Sequence, residues 1–375
     1  MSLTGSAFPV MLGLIGLALL VLLVLGVPRV SKPPIAMLAR GVNAVFLNAT
    51  VLLLALVLLN NQYLFYANWD DLFGKATAAV ATHQGGDARK AAGVHIVGGA
   101  LSHIKLGTAL PALPAPGSRV QKFEITGQDS HVTGQIVVYL PPHYNPKSTT
   151  KYPVIEVLHG FPASPTTAIT RVHVGDYVDT AVTNHQLAQP ILVIPQINNP
   201  ESLDTECIDI PRGPYVETWL AVDIPRWTAE HFRIRTDRGS WATLGYSYGG
   251  WCSAVLGMRH SPTFAASIIL LGYFRPDFTP EYDPIPASNP YLRQYDLVAV
   301  ASRKPPPVAL WILTSKQDGL SYPSTAALLK HAKPPLSVTA DILNVGGHRA
   351  QVIMPAIPDS LVWLGHDLPE FHAPR

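Results

Sequence analysis

The chain contains Gly245-Tyr246-Ser247-Tyr248-Gly249, a G-x-S-x-G spacing that holds a serine hydroxyl out as a nucleophile when it falls on a sharp strand-to-helix turn. Small residues on either side let neighbouring backbone approach, and the following helix points its first amides at developing negative charge. Such a serine needs a base, and the base needs an orienting acid; in this type of fold the acid and then the histidine follow the serine along the chain. His348 is the first choice of base, because Asn344-Val345-Gly346-Gly347-His348 links an expected strand to the last expected helix. Asp318, in the run from Thr314 to Gly319 after another expected strand, is the first choice of acid. It would accept the Nδ1 proton of His348 and fix the tautomer. His260, His331, His366 and His372 compete as bases and Asp277 and Asp296 as acids, but they fall at helix ends, in the tail or away from a strand end.

Acyl chemistry at a serine also needs two amide donors for the oxyanion. Tyr248, which follows the nucleophile, offers one, and Phe161 in His159-Gly160-Phe161-Pro162 offers the other. The alternative for the Phe161 segment is an ordinary turn.

These residues need a sheet edge to gather them. β-Branched apolar runs predict strands at Gln121 to Ile125, Gly134 to Leu140, Val154 to Leu158, Ile191 to Pro195, Trp241 to Leu244, Ala266 to Leu271, Val308 to Leu313 and Ser337 to Leu343. Helical patterns cover Val216 to Phe232, Tyr248 to His260, Tyr322 to Ala332 and Arg349 to Leu364. This alternation predicts an α/β-hydrolase fold, a mostly parallel sheet with helices on both faces, over 119–375.

The charge balance restricts the function classes. With 27 basic and 25 acidic side chains, net +2, the chain lacks the basic excess of a nucleic-acid binder. Only 14% of residues are charged, and the shortage lies at the N-terminus, where Arg29, Lys32 and Arg40 are the sole charged groups before Asp70. Residues 1–69 therefore read as a membrane hairpin, with spans at about 10–27 and 42–62 and an aromatic belt of Tyr63, Phe65, Tyr66 and Trp69. Met1 to Pro9 has no Lys or Arg, which favours a retained helix over a cleaved signal. Two buried helices of a soluble protein are the other alternative. The basic residues between the spans place that loop in the cytoplasm and the main domain outside the cell membrane. Residues 70–118, rich in Ala, Gly and Pro with a short helix near Asp87 to Ala92, read as a tether.

On that side of the membrane, Cys207 and Cys252 are expected to form a disulfide; the alternative is one loop thiol and one buried thiol. Neither H-E-x-x-H nor C-x-x-C occurs, so the sequence suggests no metal or other cofactor. The aromatics Tyr273, Phe274, Phe278, Tyr282, Tyr291 and Tyr295 could line an acyl pocket or anchor a long surface loop. Asp204 and Glu206 could face a substrate.

Val157-Leu158-His159-Gly160-Phe161, Asp204-Thr205-Glu206-Cys207, Val216-Glu217-Thr218-Trp219, the elbow, Leu271-Gly272-Tyr273-Phe274 and Gly346-Gly347-His348 together resemble the putative-esterase family of α/β-hydrolases. That family holds esterase-D-like enzymes and secreted mycolyltransferases. The resemblance covers Val120 to Leu364. It implies a Ser247, Asp318, His348 triad, with the amides of Phe161 and Tyr248 as oxyanion donors. Tyr246, Tyr248 and Gly249-Gly250 differ from the Leu, Met and Ala around the mycolyltransferase elbow. The expectation is a membrane-anchored serine esterase or acyltransferase acting on a small-molecule, lipid or glycan ester. A non-catalytic binding module and a serine peptidase are the alternatives.

Overall fold

The computed structural model describes residues 3, 5–26, 33–63, 66, 69–73, 80–83, 87–94, 101, 110–199, 203–279 and 282–374. By contacts the chain forms two units, Met1–Ala78 with Asn344–Arg349, and Ala79–Leu343 with Ala350–Arg375.

The first unit is a helical hairpin. Its helices are Ala7–Val21, extended by a π-helical turn Leu22–Gly26, and Pro33–Tyr63. Ala7–Leu25 and Pro33–Asn61 are long and apolar enough to cross a membrane. The second helix starts well before the expected 42. Pro33 and Pro34 are tolerated in a first turn, and no further proline interrupts the helix before Tyr63. Arg40 therefore sits on the helix instead of in the connecting loop; Arg29, Lys32 and Phe65 lie outside the described residues. Two polar side chains within this helix bond back to its own carbonyls, Asn48 to Ala44 at 2.8 Å and Thr50 to Phe46 at 2.8 Å. Leu3, Phe8, Leu12 and Val57 form a small core, and Asn61 donates to the Gly5 carbonyl at 2.9 Å.

The second unit is built on a nine-stranded sheet in the order β1-β9-β8-β7-β6-β4-β5-β3-β2. The strands are β1 Val80–His83, β2 Val120–Thr126, β3 Thr133–Tyr139, β4 Val154–Leu158, β5 Ile191–Pro195, β6 Trp241–Tyr246, β7 Ala266–Leu270, β8 Ala309–Ser315 and β9 Ser337–Leu343. From β5 through β4, β6, β7 and β8 to β9 all neighbours are parallel, while β1, β3 and β2 pair antiparallel at the edges. Helices cover both faces, so the central strands read as continuous apolar runs rather than as alternation. The helix Tyr248–Arg259 and the Val216–His231 run pack on one face; Val174–Thr183 and Ile357–Asp367 pack on the other. The Val216–His231 run contains a π-helical stretch at Trp219–Asp223.

Within 70–118, expected as a tether, the described residues include a strand and a helix. β1 pairs with β9, Val80 opposite Ile342. Asp87 caps the helix Ala88–Ala92 by accepting from the Lys90 N–H, and Arg238 donates to the Ala92 carbonyl at 2.5 Å. A four-residue Val-Ala-Thr-His strand is too short to show a period in sequence, and its pairing to β9 forms it.

One polar row crosses the apolar sheet. Glu156, Thr243 and Ser267 are in register on β4, β6 and β7. Thr243 bonds Ser253 at 2.6 Å and Ser267 at 2.8 Å. Glu156 is fully buried, and neither carboxyl oxygen has a hydrogen-bond partner among the described residues. Burial pushes its carboxyl well above the usual range, so the folded state binds a proton that the unfolded state gives up. The native acid side chain thus loses stability as pH rises from the ordinary glutamate value toward the raised one. Glu156→Met is expected to stabilise the protein by about 1–3 kcal/mol at pH 8. It should also flatten the fall in stability between pH 5 and 8. Thermal unfolding of the full chain in detergent at both pH values measures this, and an unchanged pH slope in the variant would refute it.

Candidate active site

Ser247 follows β6 and precedes the helix Tyr248–Arg259, the strand–turn–helix context that the motif requires. Its backbone has φ +58 and ψ −125, a region costly for any residue with a Cβ. The turn is fastened on both sides. The Ser247 N–H donates to the Leu270 carbonyl at the end of β7 at 2.8 Å, and its carbonyl accepts from Gly250 at 2.8 Å and Trp251 at 3.2 Å. Two glycines make the geometry possible. A Cβ on Gly245 would overlap the carbonyl of Gly249, and one on Gly249 would overlap the carbonyls of Leu158 and His159 at the end of β4.

The carboxyl ends of the parallel strands lie level, with Leu158 opposite Gly245 and Tyr246 opposite Leu270, itself opposite Leu313. Phe161 therefore emerges beside the elbow from β4. Its ring centroid is 5.9 Å from that of Tyr248. As the first residue of its helix, Tyr248 has no intrahelical acceptor for its N–H. Within the same loop, His159 is fully buried and donates from Nδ1 to the Gly160 carbonyl at 2.8 Å. Burial lowers its imidazole to about 4, so it is neutral at neutral pH.

Asp318 lies beyond β8 and is 1% exposed. Its Oδ1 accepts from the Leu320 and Ser321 N–H groups at 3.0 and 3.1 Å, and its Oδ2 from the Ser321 hydroxyl at 2.7 Å. These bonds lock the carboxylate at the start of the helix Ser321–His331. His348 follows β9 on Asn344–Arg349, the segment that groups with the hairpin unit. Within that unit the Arg349 guanidinium lies 4.8 Å over the Tyr66 ring. The Tyr66 backbone is itself held by the Asn60 side chain at 2.8 and 2.9 Å.

Four of the competing residues make structural contacts. His260 bonds Glu217 at 2.7 Å; although burial opposes it, His260 and Arg259 hold that carboxyl down to about 2. Asp296 caps the helix Leu297–Arg303 and pairs with Arg275 at 3.1 Å. His366 pairs with Asp367 at 2.7 Å, and His372 donates to the His366 carbonyl at 2.9 Å.

Cys207 and Cys252 are joined in a disulfide, Cα atoms 5.4 Å apart, tying the 204–207 loop to the helix Tyr248–Arg259. Glu206 is fully buried and accepts from the Tyr273 hydroxyl at 2.9 Å, so it does not face a substrate. Of the aromatics after β7, Phe274 and Tyr295 are buried, and Tyr291 donates to the Asp209 carbonyl. Tyr295 donates to Glu217 at 2.5 Å. These burials and two hydrogen bonds favour the anchoring alternative over a pocket lining. Sequence reading missed the contacts of Trp251 and Tyr273 with Glu206. Their signal was the proximity of Trp251 to Cys252, one half of the expected bridge.

A model of the putative-esterase family matches residues 130–323, more than half of the chain and including the elbow and Asp318. The chain belongs to the putative-esterase family. No curated protein sequence matches it. Among solved structures, this esterase-family chain is similar to a ferulic acid esterase, 21% identical with TM-score 0.55 over 66% of this chain and 97% of that one. It is also similar to an S-formylglutathione hydrolase from Agrobacterium tumefaciens, 15% identical with TM-score 0.55 over 69% and 99%. A fluorophosphonate-binding serine hydrolase of Staphylococcus aureus is 17% identical with TM-score 0.53 over 67% and 99%. At these identities the likeness is one of fold.

Proposed function

We propose that this chain is a membrane-anchored, extracytoplasmic serine esterase or acyltransferase. The observation that carries this reading is the elbow, where Ser247 is held at φ +58 between β6 and its helix by glycines that no other residue can replace without overlap. In the proposed reaction, Ser247 Oγ attacks the ester carbonyl carbon as His348 takes the hydroxyl proton. Asp318, already locked by three hydrogen bonds, orients the imidazole and stabilises the imidazolium. The backbone N–H groups of Phe161 and Tyr248 bind the oxyanion. The carbon–oxygen bond to the leaving group breaks, and His348 returns the proton to the departing alkoxide. The acyl-enzyme then passes its acyl group to water or to an acceptor hydroxyl, whose proton moves to His348 and back to Ser247.

The names of similar proteins, a ferulic acid esterase and an S-formylglutathione hydrolase, support acyl esters and thioesters as the substrate class. Two helices long and apolar enough to span a bilayer support the anchor. Basic residues at Arg29, Lys32 and Arg40 and a disulfide in the catalytic unit support the outward orientation. A membrane-impermeant fluorophosphonate applied to intact cells tests both parts. The expected product is one phosphonyl group per chain, mapped to Ser247 by peptide mass spectrometry. Labelling only after lysis would overturn the orientation, and no label on Ser247 in the folded, lysed sample would overturn the mechanism.

A further inference from the structure

The phenol of Tyr248 is held at its far end. Its oxygen accepts the Cys207 N–H at 3.1 Å and lies 3.4 Å from the Thr205 hydroxyl. The loop that supplies this grip is unusual in its own backbone, because Glu206 and Cys207 both have positive φ, +52 and +48. Two successive left-handed residues with side chains persist only where surrounding contacts hold them. Beside contacts to Ile197 and Asp204, these residues are held by the helix Tyr248–Arg259 and by the segment after β7. Cys207 is bridged to Cys252. Trp251 Nε1 donates to the Glu206 carbonyl at 2.7 Å, and the Tyr273 hydroxyl donates to Glu206 Oε1 at 2.9 Å. The Tyr273 and Trp251 rings stack, 5.6 Å apart and 6° from parallel.

The helix thus fixes the loop, and the loop fixes the side chain of the first residue of that helix. A helix constrains its first residue least, since the N–H groups of the first turn have no partner within it. The strained turn at Ser247 immediately precedes this residue. A rigid ring clamped at its tip fixes the orientation of the residue that carries it.

We propose that the Tyr248 phenol, gripped by Cys207, is a positioning group that aims the Tyr248 backbone N–H at the oxyanion, with Glu206 as the buried post that holds the gripping loop. This rests on the reading of Ser247 and Tyr248 given above. It gives the Asp204-Thr205-Glu206-Cys207 segment a role in the transition state without contact to substrate. An amide aimed at the oxyanion matters most once charge has developed, so a loss of aim lowers kcat and leaves KM nearly unchanged.

The test is Tyr248→Phe in the full chain in detergent, assayed on a p-nitrophenyl ester with active sites counted by the p-nitrophenol burst. The expected result is a kcat per active site lower by about ten- to a hundredfold, with KM within about twofold. Glu206→Ala should show the same split, and Glu206→Gln, whose amide oxygen still accepts from Tyr273, should recover most of the loss. An unchanged kcat per active site in Tyr248→Phe would overturn the proposal, whether or not the burst amplitude falls. Equal losses with Glu206→Gln and Glu206→Ala would overturn the role of Glu206. Ser247→Ala separates the two levels. If it stays active, the reading of the site fails; if it is inactive while Tyr248→Phe is unimpaired, only the positioning role fails.

Discussion

Ser247→Ala is expected to reduce kcat on a p-nitrophenyl ester by roughly 10⁶-fold, the scale seen when a triad serine is removed. The hydroxyl is the only atom lost, and Ser247 sits on backbone bonded to Leu270, Gly250 and Trp251 whatever its side chain. Thermal stability should therefore stay near that of the native chain, which separates chemistry from folding. Residual turnover above the uncatalysed rate would come from the oxyanion amides, which remain in place. Initial rates at high enzyme concentration, alongside a melting curve, decide the matter. A loss smaller than about tenfold would mean that another group attacks the ester.

Gly249→Ala is expected to cost about 3–5 kcal/mol of stability and nearly all activity. The added methyl would overlap the carbonyl oxygens of Leu158 and His159, and neither is the end of a flexible side chain that could turn away. Relief requires the nucleophile helix to lift from β4. That movement breaks the level pairing of Leu158 with Gly245 and shifts the loop carrying Phe161. Both the proposed nucleophile and one of the proposed oxyanion donors are displaced at once. Near-UV circular dichroism during thermal unfolding, with activity measured on the soluble fraction, gives the two readouts. A variant with native melting temperature and native kcat would show that this contact is not the one that sets the elbow.

Much of this architecture can be read along the chain. The strands Val154–Leu158, Ile191–Pro195 and Ser337–Leu343 occur at the residues expected, because short β-branched runs between polar turns have few other ways to be buried. The elbow was legible for a similar reason, since its glycines and serine are contiguous and their spacing is the geometry. A short helix near Asp87 to Ala92 was also visible as a local pattern, and the structure shows Asp87 capping it. The strand Val80–His83 was not, because four residues carry no period and their partner lies on β9. Nor was the start of the second apolar helix at Pro33, since a proline pair reads as a break until its place in a first turn is known.

By itself the sequence pointed to an esterase, gave the order of the strands along the chain and singled out Ser247 as the proposed nucleophile. It did so because turn residues, hydrophobic period and motif spacing act over a few neighbouring residues. Only the tertiary structure decided which side chains serve the site from a distance. Glu206 meets Tyr273 across 67 positions and Trp251 across 45. Those encounters exist because β6 and β7 lie side by side with the nucleophile helix on one face, and no local pattern encodes a hydrogen bond made by that stacking. The same stacking buries Glu206, which the sequence left as a residue that could face a substrate, against Tyr273 and Trp251.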